Sequence, residues 1–262
     1  MIHIPRVIAR IPILRGIARL FLTGYARLFR DRYMIERRMG LRLLLDQENA
    51  IDWQCFIKGS WEEEQFGYFF RLATEQWLRP HGGAIFLDIG AHWGMYALEA
   101  HKRGLFERIV AFEPDPTNFA QLQANLFLNG LERAIEPLRL AASDRNRLLG
   151  LALDTHRNRG GTHVVELDRP HHAECQGVRV DSLFDFTGKL LVIKIDVEGH
   201  ELEVLAGLAQ LLVKNQCLVH VEADEEMFPG HFPKVKAFLE ERGFTFVKSM
   251  RIDHYFISGS RD

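Results

Sequence analysis

Cysteine is scarce in this chain. Its 262 residues hold three, Cys55, Cys175 and Cys217, scattered and odd in number. That excludes a disulfide framework and fits a reducing compartment. Paired metal-ligand spacing is also missing. One suggestive cluster, His171, His172 and Cys175, lacks the spacing of a zinc site and lies in a loop signal. No apolar run approaches the ~18 residues of a membrane span. Arg6, Arg10, Arg15 and Arg19 interrupt any secretory core. The expected location is therefore cytoplasmic. The overall charge is only −2 and no base-reading motif is visible, so nucleic acid is not an expected partner.

What charge there is lies unevenly. Residues 1–45 carry ten arginines against Asp31 and Glu36, and the remainder is net acidic. Between Pro12 and Arg30, helical spacing gathers Ile13, Ile17, Leu20, Phe21 and Leu28 on one face and Arg15, Arg19, Arg27 and Arg30 towards another. Residues 1–39 therefore read as a basic amphipathic helical extension, with residues 40–262 as the main domain. Such a helix lies peripherally on an anionic membrane or packs its apolar face on the main domain or on a second copy of the chain.

The main domain is organised around Ala84 to Glu113. An apolar run ends on Asp88, a turn carries Gly90 and Gly94, a helical segment follows, and a second apolar run, Ile109 to Phe112, ends on Glu113. This is a βαβ unit with strands buried on both faces, and ligands bind at the carboxyl ends of such strands. The turn is not G-x-G-x-x-G. His92 stands where a dinucleotide fold wants its second glycine, so a pyrophosphate would meet a side chain. Glu113 follows Asp88 by 25 residues, near the spacing of about 20 for an acid that accepts ribose hydroxyls. A cofactor with a ribose and no phosphates fits best, and S-adenosylmethionine is the obvious one.

Elsewhere, residues 41–46 predict a short strand, and Ser60 with Glu63 predicts a capping box opening a helix that Pro80, Gly82 and Gly83 end. Asp115 and Pro116 open the next helix, and Gly130 closes it. Ile135 to Ala142 predicts a third strand ending at Ser143 and Asp144, which could flank an adenine. Residues 147–183 read as inserted hairpin strands. Leu190 to Ile195 is a buried strand that stops at a crowded exit with Asp196, Glu198, His200 and Glu201. One helix follows, then a strand to Glu222, a helix near 234–242, and two last strands.

With these residues laid out, the chain resembles FkbM-type S-adenosylmethionine-dependent methyltransferases over roughly residues 40–258. The similar motifs are GLRLLLD, GSWEEE, FLDIGAHWG, AFEPDPTNFAQLQANLFLNG, AASD, VDSL and KIDVEGHE, in matching order. His200 departs from the pattern, which commonly has a small residue there. The resemblance implies a Rossmann-like α/β fold with a mostly parallel seven-stranded sheet closed by an antiparallel hairpin. It implies O-methyl transfer, often to hydroxyls of sugars, glycolipids, polysaccharides or secondary metabolites. Gly90, Ala91 and Gly94 would line the methionine part of the cofactor, Asp88 would orient the loop or meet the amino group, and Glu113 would bind the ribose. His92, Pro114, Ala142 and Ser143 complete the expected cofactor set.

A sugar hydroxyl must lose its proton, and candidate bases lie past the central strands. Asp196 is favoured, then Glu222, with His200 also placed there. The same two acids are an alternative seat for Mg²⁺, though a metal-free site is the preferred reading. Two other functions stay open: a nicotinamide-dependent oxidoreductase on the same βαβ logic, and a non-catalytic module that binds membrane through its basic arm.

Overall fold

Strand and helix alternate along the residues described by the computed structural model, which are 31–60, 62–76, 83–153 and 159–258. The basic helix expected within residues 12–30, and Pro80 and Gly82, lie outside them. The first elements are a hairpin, β1 (Tyr33–Arg38) and β2 (Leu41–Asp46), paired antiparallel. Its turn, Met39 and Gly40, has positive φ at both residues; residues 33–38, expected within the helical extension, are instead strand, because pairing with β2 buries Met34 in the core. Alternation along β2 buries Leu41, Leu43 and Leu45. Helix α1 (Ala50–Lys58) is capped by the Asn49 side chain and closed by Gly59. Helix α2 (Glu63–Gln76) starts later than the expected capping box. Ser60 does not cap it, because Gly59 is still closing α1 and Glu62, at φ 51°, intervenes.

Next come β3 (Ala84–Ile89), α3 (Met95–Arg103), β4 (Phe106–Phe112) and α4 (Pro116–Asn129). Asp115 accepts from the Thr117 and Asn118 amides at the start of α4, and Gly130 closes it in the left-handed region. The third expected strand divides in two. β5 (Glu136–Leu138) joins the main sheet, and β6 (Ala141–Ala142) joins another. The division follows from pairing: the Leu138 carbonyl accepts from Glu113 N–H, whereas Ala141 and Ala142 pair with Gly177 and Val178.

The inserted segment forms β7 (Arg147–Leu153), a 3₁₀ turn (Arg159–Gly161), β8 (Thr162–Val165) and β9 (Ala173–Val178). These give a small sheet of order β6-β9-β7-β8, as the short alternating runs predict. VDSL is a helical turn, α5 (Val180–Leu183), and not strand. After β10 (Leu190–Ile195) the single expected helix is two, α6 (Glu201–Gly207) and α7 (Ala209–Lys214). Gly207 sits at the break, so close to the Ser143 carbonyl oxygen that a Cβ would stand 2.0 Å from it. The chain ends in β11 (Gln216–Glu222), α8 (His231–Glu240), β12 (Phe244–Met250) and β13 (Asp253–Ser258).

The main sheet has seven strands in the order β12-β13-β11-β10-β3-β4-β5. β11, β10, β3, β4 and β5 run parallel, and the β12–β13 hairpin closes the edge antiparallel. Every residue of β3 is buried, as continuous apolar strands covered on both faces must be. One apolar cluster, with Phe69, Phe70, Phe86 and Tyr255, packs one face, and a second, with Leu87, Ile193, Leu205 and Phe256, packs the other. This is the Rossmann-like sheet expected from the sequence. Its central strands β3, β4, β10 and β11 deliver their carboxyl ends to one place.

Candidate active site

The turn after β3 is held by its own backbone and by two acids. Gly90 and Ala91 N–H donate to the Phe112 carbonyl at 3.0 and 2.8 Å. His92, at φ 51°, donates its N–H to Glu113 Oε2 at 2.8 Å, and Asp115 N–H donates to Oε1 at 2.9 Å. Glu113 thus fixes the turn through both oxygens. Burial, opposed by those two amides, pushes its carboxyl up to about 8. Asp88 is fully buried beneath the turn, where Oδ2 accepts from Ala97 N–H at 2.9 Å and pins the first turn of α3.

The next strand end carries a buried lysine paired with an acid. Lys194 donates to the Gly90 carbonyl at 2.7 Å, pairs with Asp196 at 3.1 Å and lies 3.8 Å from Asp88. Burial opposes its charge, but the two acids hold its pKa above the ordinary value. Asp196 N–H donates to the Ile89 carbonyl at 3.0 Å, which joins the two strand ends. Glu222, ending β11, is pushed well above the carboxylate range by burial and then by Asp196, Asp253 and Glu62. Glu62 accepts from Tyr96 Oη at 3.0 Å and is also raised, first by burial. His200 lies 3.0 Å from Ser143 Oγ through Nε2, and burial lowers its pKa. Glu201 accepts from Gly199 N–H at 3.0 Å and lies 2.5 Å from His231 Nε2, which secures the loop beneath His200.

One cavity collects these groups. Gly90, Ala91, His92, Glu113, Pro114 and Ala142 line it, and so do Asp196, His200 and Glu222. Three expected cofactor residues, Asp88, Gly94 and Ser143, do not. Asp88 orients the loop from below. Gly94 faces Leu122, whose Cδ1 would be 2.4 Å from an added Cβ. The Ser143 hydroxyl is spent on His200 and Asp144.

Sequence reasoning missed Glu62, Tyr96, Asn118, Arg159 and Lys194, all of which line the cavity. A lysine inside the apolar run LLVIKI was a legible signal, since a buried strand holds a charge only where it is paired. His171 and His172 are spent on the Arg169 carbonyl and on Asp115. Among the described residues no group of three or more His, Cys, Asp or Glu is placed to hold a metal ion.

Glu222 makes a stability prediction. Its folded pKa lies above the unfolded value, so its contribution is present below the unfolded pKa and is lost as pH rises through the folded one. Glu222→Gln keeps the neutral shape and removes that loss. Thermal melts between pH 6 and 9 should therefore show the variant losing less Tm than wild type, by roughly 3 °C or more. Parallel melting curves would remove the assignment of a protonated Glu222.

Comparison with known proteins supplies the chemistry. The model of the methyltransferase FkbM domain matches residues 88–246. The 2-O-methyltransferase NoeI of Sinorhizobium fredii is 27% identical over 170 residues, covering 57% of this chain and 67% of that protein. The hexuronic acid methyltransferase AglP of Haloferax volcanii is 28% identical over 182 residues, covering 68% and 70%. A solved FkbM methyltransferase from Methylobacillus flagellatus shares the fold at a TM-score of 0.50 and 18% identity, over 67% of this chain and 43% of that one. With the family model spanning most of the sheet and both acidic strand ends, this chain belongs to the FkbM family of S-adenosylmethionine-dependent methyltransferases.

Proposed function

We propose that the enzyme transfers a methyl group to a hydroxyl of a sugar, free or carried on a glycolipid or polysaccharide. The observation that carries this reading is the placement of Asp196 and Glu222 in the same cavity as Glu113 and the Gly90 turn. Similarity to proteins named as a 2-O-methyltransferase and a hexuronic acid methyltransferase supports a sugar acceptor.

The cavity suits the cofactor. An added Cβ at Gly90 would lie 1.7 Å from the Asp196 carbonyl oxygen, so only glycine leaves the turn open against the second strand end. Glu113 keeps free lone pairs on both oxygens for the two ribose hydroxyls. At position 92 of this turn a pyrophosphate would meet an imidazole instead of a glycine, which speaks against a nicotinamide dinucleotide. Gly90, Ala91 and Glu113 would hold S-adenosylmethionine, with Pro114 and Ala142 beside the base. When bound, it supplies a methyl group already activated on a sulfonium.

The protein's task is then alignment, which can supply ~7–11 kcal/mol, and removal of one proton. Asp196 would accept the acceptor hydroxyl's proton, and the bound cofactor would supply the methyl group, the electron pair of its broken C–S bond returning to sulfur. Lys194 anchors the Asp196 carboxylate at 3.1 Å. Protonated Glu222 donates a hydrogen bond to the acceptor and adds no second negative charge. His200, half-buried and with its pKa lowered, positions the loop after β10.

Two tests follow. Purified protein given S-adenosylmethionine with a labelled methyl, together with extracted glycolipids and polysaccharides, should leave the label on a sugar in a form stable to mild alkali. Release by alkali would mean a methyl ester and would contradict O-methylation of a hydroxyl. Glu113→Ala should weaken S-adenosylhomocysteine binding by about tenfold or more. With wild type, affinity should rise as pH climbs from 6 towards 8, because the ribose hydroxyls donate to the ionised carboxyl. Glu113→Gln should flatten that profile in calorimetric titrations.

The basic extension, residues 1–39, is proposed as a peripheral membrane contact. Among the described residues no helix is long and apolar enough to cross a membrane. Sedimentation with anionic liposomes should fall when residues 1–30 are removed, which leaves β1 and its pairing with β2 in place.

A further inference from the structure

The cavity wall is not made only of strand ends. The small inserted sheet lays Leu151, the turn at Arg159 and Gly160, Thr162 and Val164 against it. Arg159 is 8% exposed, yet the described residues do not satisfy all of its guanidinium. Nη2 donates to Gln121 Oε1 at 3.0 Å and pairs with Asp46 Oδ2 at 3.1 Å. Nη1 is buried with no hydrogen-bond partner among the described residues. Asp46 does not neutralise Arg159 alone, since the same oxygen also pairs with Arg32 at 2.9 Å.

Two neighbours share this condition. Asn118, at the first turn of α4, holds the Arg159 carbonyl through Nδ2 at 3.1 Å, while its Oδ1 is buried without a partner among the described residues. His92 Nε2 is likewise buried without a partner among them. Burial and then the charge of Arg159 hold that imidazole neutral, down to about 3. A buried donor left unmade is costly, and a guanidinium cannot escape by losing its proton. Three such atoms on residues lining one cavity point to a ligand that satisfies them.

We propose that Arg159, with His92 and Asn118, forms an anion subsite of the acceptor pocket that receives the carboxylate of a sugar acid. The inference rests on the sugar-acceptor reading above and narrows it to uronic-acid-type acceptors. Arg159 Nη1 binds the carboxylate, and the neutral His92 and the Asn118 carbonyl oxygen take adjacent hydroxyls. A carboxylate could also come from the amino-acid end of the cofactor. The acceptor is favoured because Arg159 is supplied by the inserted segment between β7 and β8, outside the βαβ unit that carries Gly90 and Glu113.

The test is calorimetric titration of the full chain, saturated with S-adenosylhomocysteine, by p-nitrophenyl β-D-glucuronide and by the matched p-nitrophenyl β-D-glucoside. The two probes differ in the carboxylate. The glucuronide should bind roughly tenfold tighter or better, and Arg159→Gln should erase that preference. S-adenosylhomocysteine affinity should stay within about twofold in the variant, which also certifies the fold. Arg159→Lys, which keeps the charge for Asp46, should retain a reduced preference. Equal binding of the two probes to wild type would overturn the subsite. So would an Arg159→Gln variant that loses S-adenosylhomocysteine but not 5′-methylthioadenosine, since the carboxylate held would then be the cofactor's. Failure of wild type to bind S-adenosylhomocysteine at all would instead strike the methyltransfer reading beneath it.

Discussion

Asp196→Asn should lower kcat by roughly 10²–10⁴-fold, the usual worth of a general base. S-adenosylhomocysteine affinity should stay within about twofold. The side chain keeps its shape and size, and its backbone amide still donates to Ile89. Lys194 keeps the Gly90 carbonyl and Asp88 as partners, so the strand ends should stay in register. Only the capacity to take a proton is removed. Single-turnover methyl transfer, measured with saturating cofactor and acceptor, separates this from a binding defect. A variant within about threefold of wild type would move the base elsewhere, first to Glu222. That alternative has its own mark, because a base raised by burial and by Asp196 gives activity that climbs into the alkaline range.

Gly90→Ala should do more to the molecule than any change of charge. Gly90 has φ 79°, a region that costs an L side chain about 1–2 kcal/mol. Its Cβ would stand 1.7 Å from the Asp196 carbonyl oxygen and 2.8 Å from the carbonyl carbon. Both are backbone atoms of the neighbouring strand exit, and neither can rotate away. Crowding of this kind costs ~1–3 kcal/mol more, so Tm should fall by roughly 4–20 °C. Whatever part of the strain is relieved by moving residue 196 moves the proposed base with it. Methyl transfer should therefore be lost even at temperatures where the variant is folded. Differential scanning calorimetry alongside the transfer assay reads both effects. A variant with unchanged Tm and activity would show that the two strand exits are not in contact in solution.

The same contact explains what could be read before any coordinates. β3 and β4 are continuous apolar runs ending in acids, and a strand buried on both faces leaves that mark whatever lies around it. Asp115, Pro116 and Gly130 bound α4 through local chemistry alone, and they stand where expected. The elements misjudged were those decided by a distant partner. Residues 135–142 are uniformly strand-like, and only pairing with β9 pulls Ala141 and Ala142 into another sheet. Glu62, tied to Tyr96 and bent to positive φ, delays α2 past its capping box. Leu208 breaks a continuous helical pattern where Gly207 meets the Ser143 carbonyl.

The site divides in the same way. Glu113, Asp196 and Glu222 were legible because a strand end fixes where its last acid goes. Asp88 and Gly94 were legible as part of the turn, yet they support it without lining the cavity. Arg159 was not legible. It precedes two glycines in a loop-like segment, and nothing local says that the inserted sheet folds it beside His92 and Asn118.

The proposed methyl transfer requires a nucleoside held by Glu113 with its sulfur turned towards Asp196. A crystal structure of the protein with S-adenosylhomocysteine tests this most directly. It should show both ribose hydroxyls within hydrogen-bonding distance of the Glu113 carboxylate, the amino-acid end over Gly90, and the sulfur on the Asp196 side of the cavity. A ribose bound away from Glu113, or a sulfur directed away from the Asp196 and Glu222 strand ends, would contradict it.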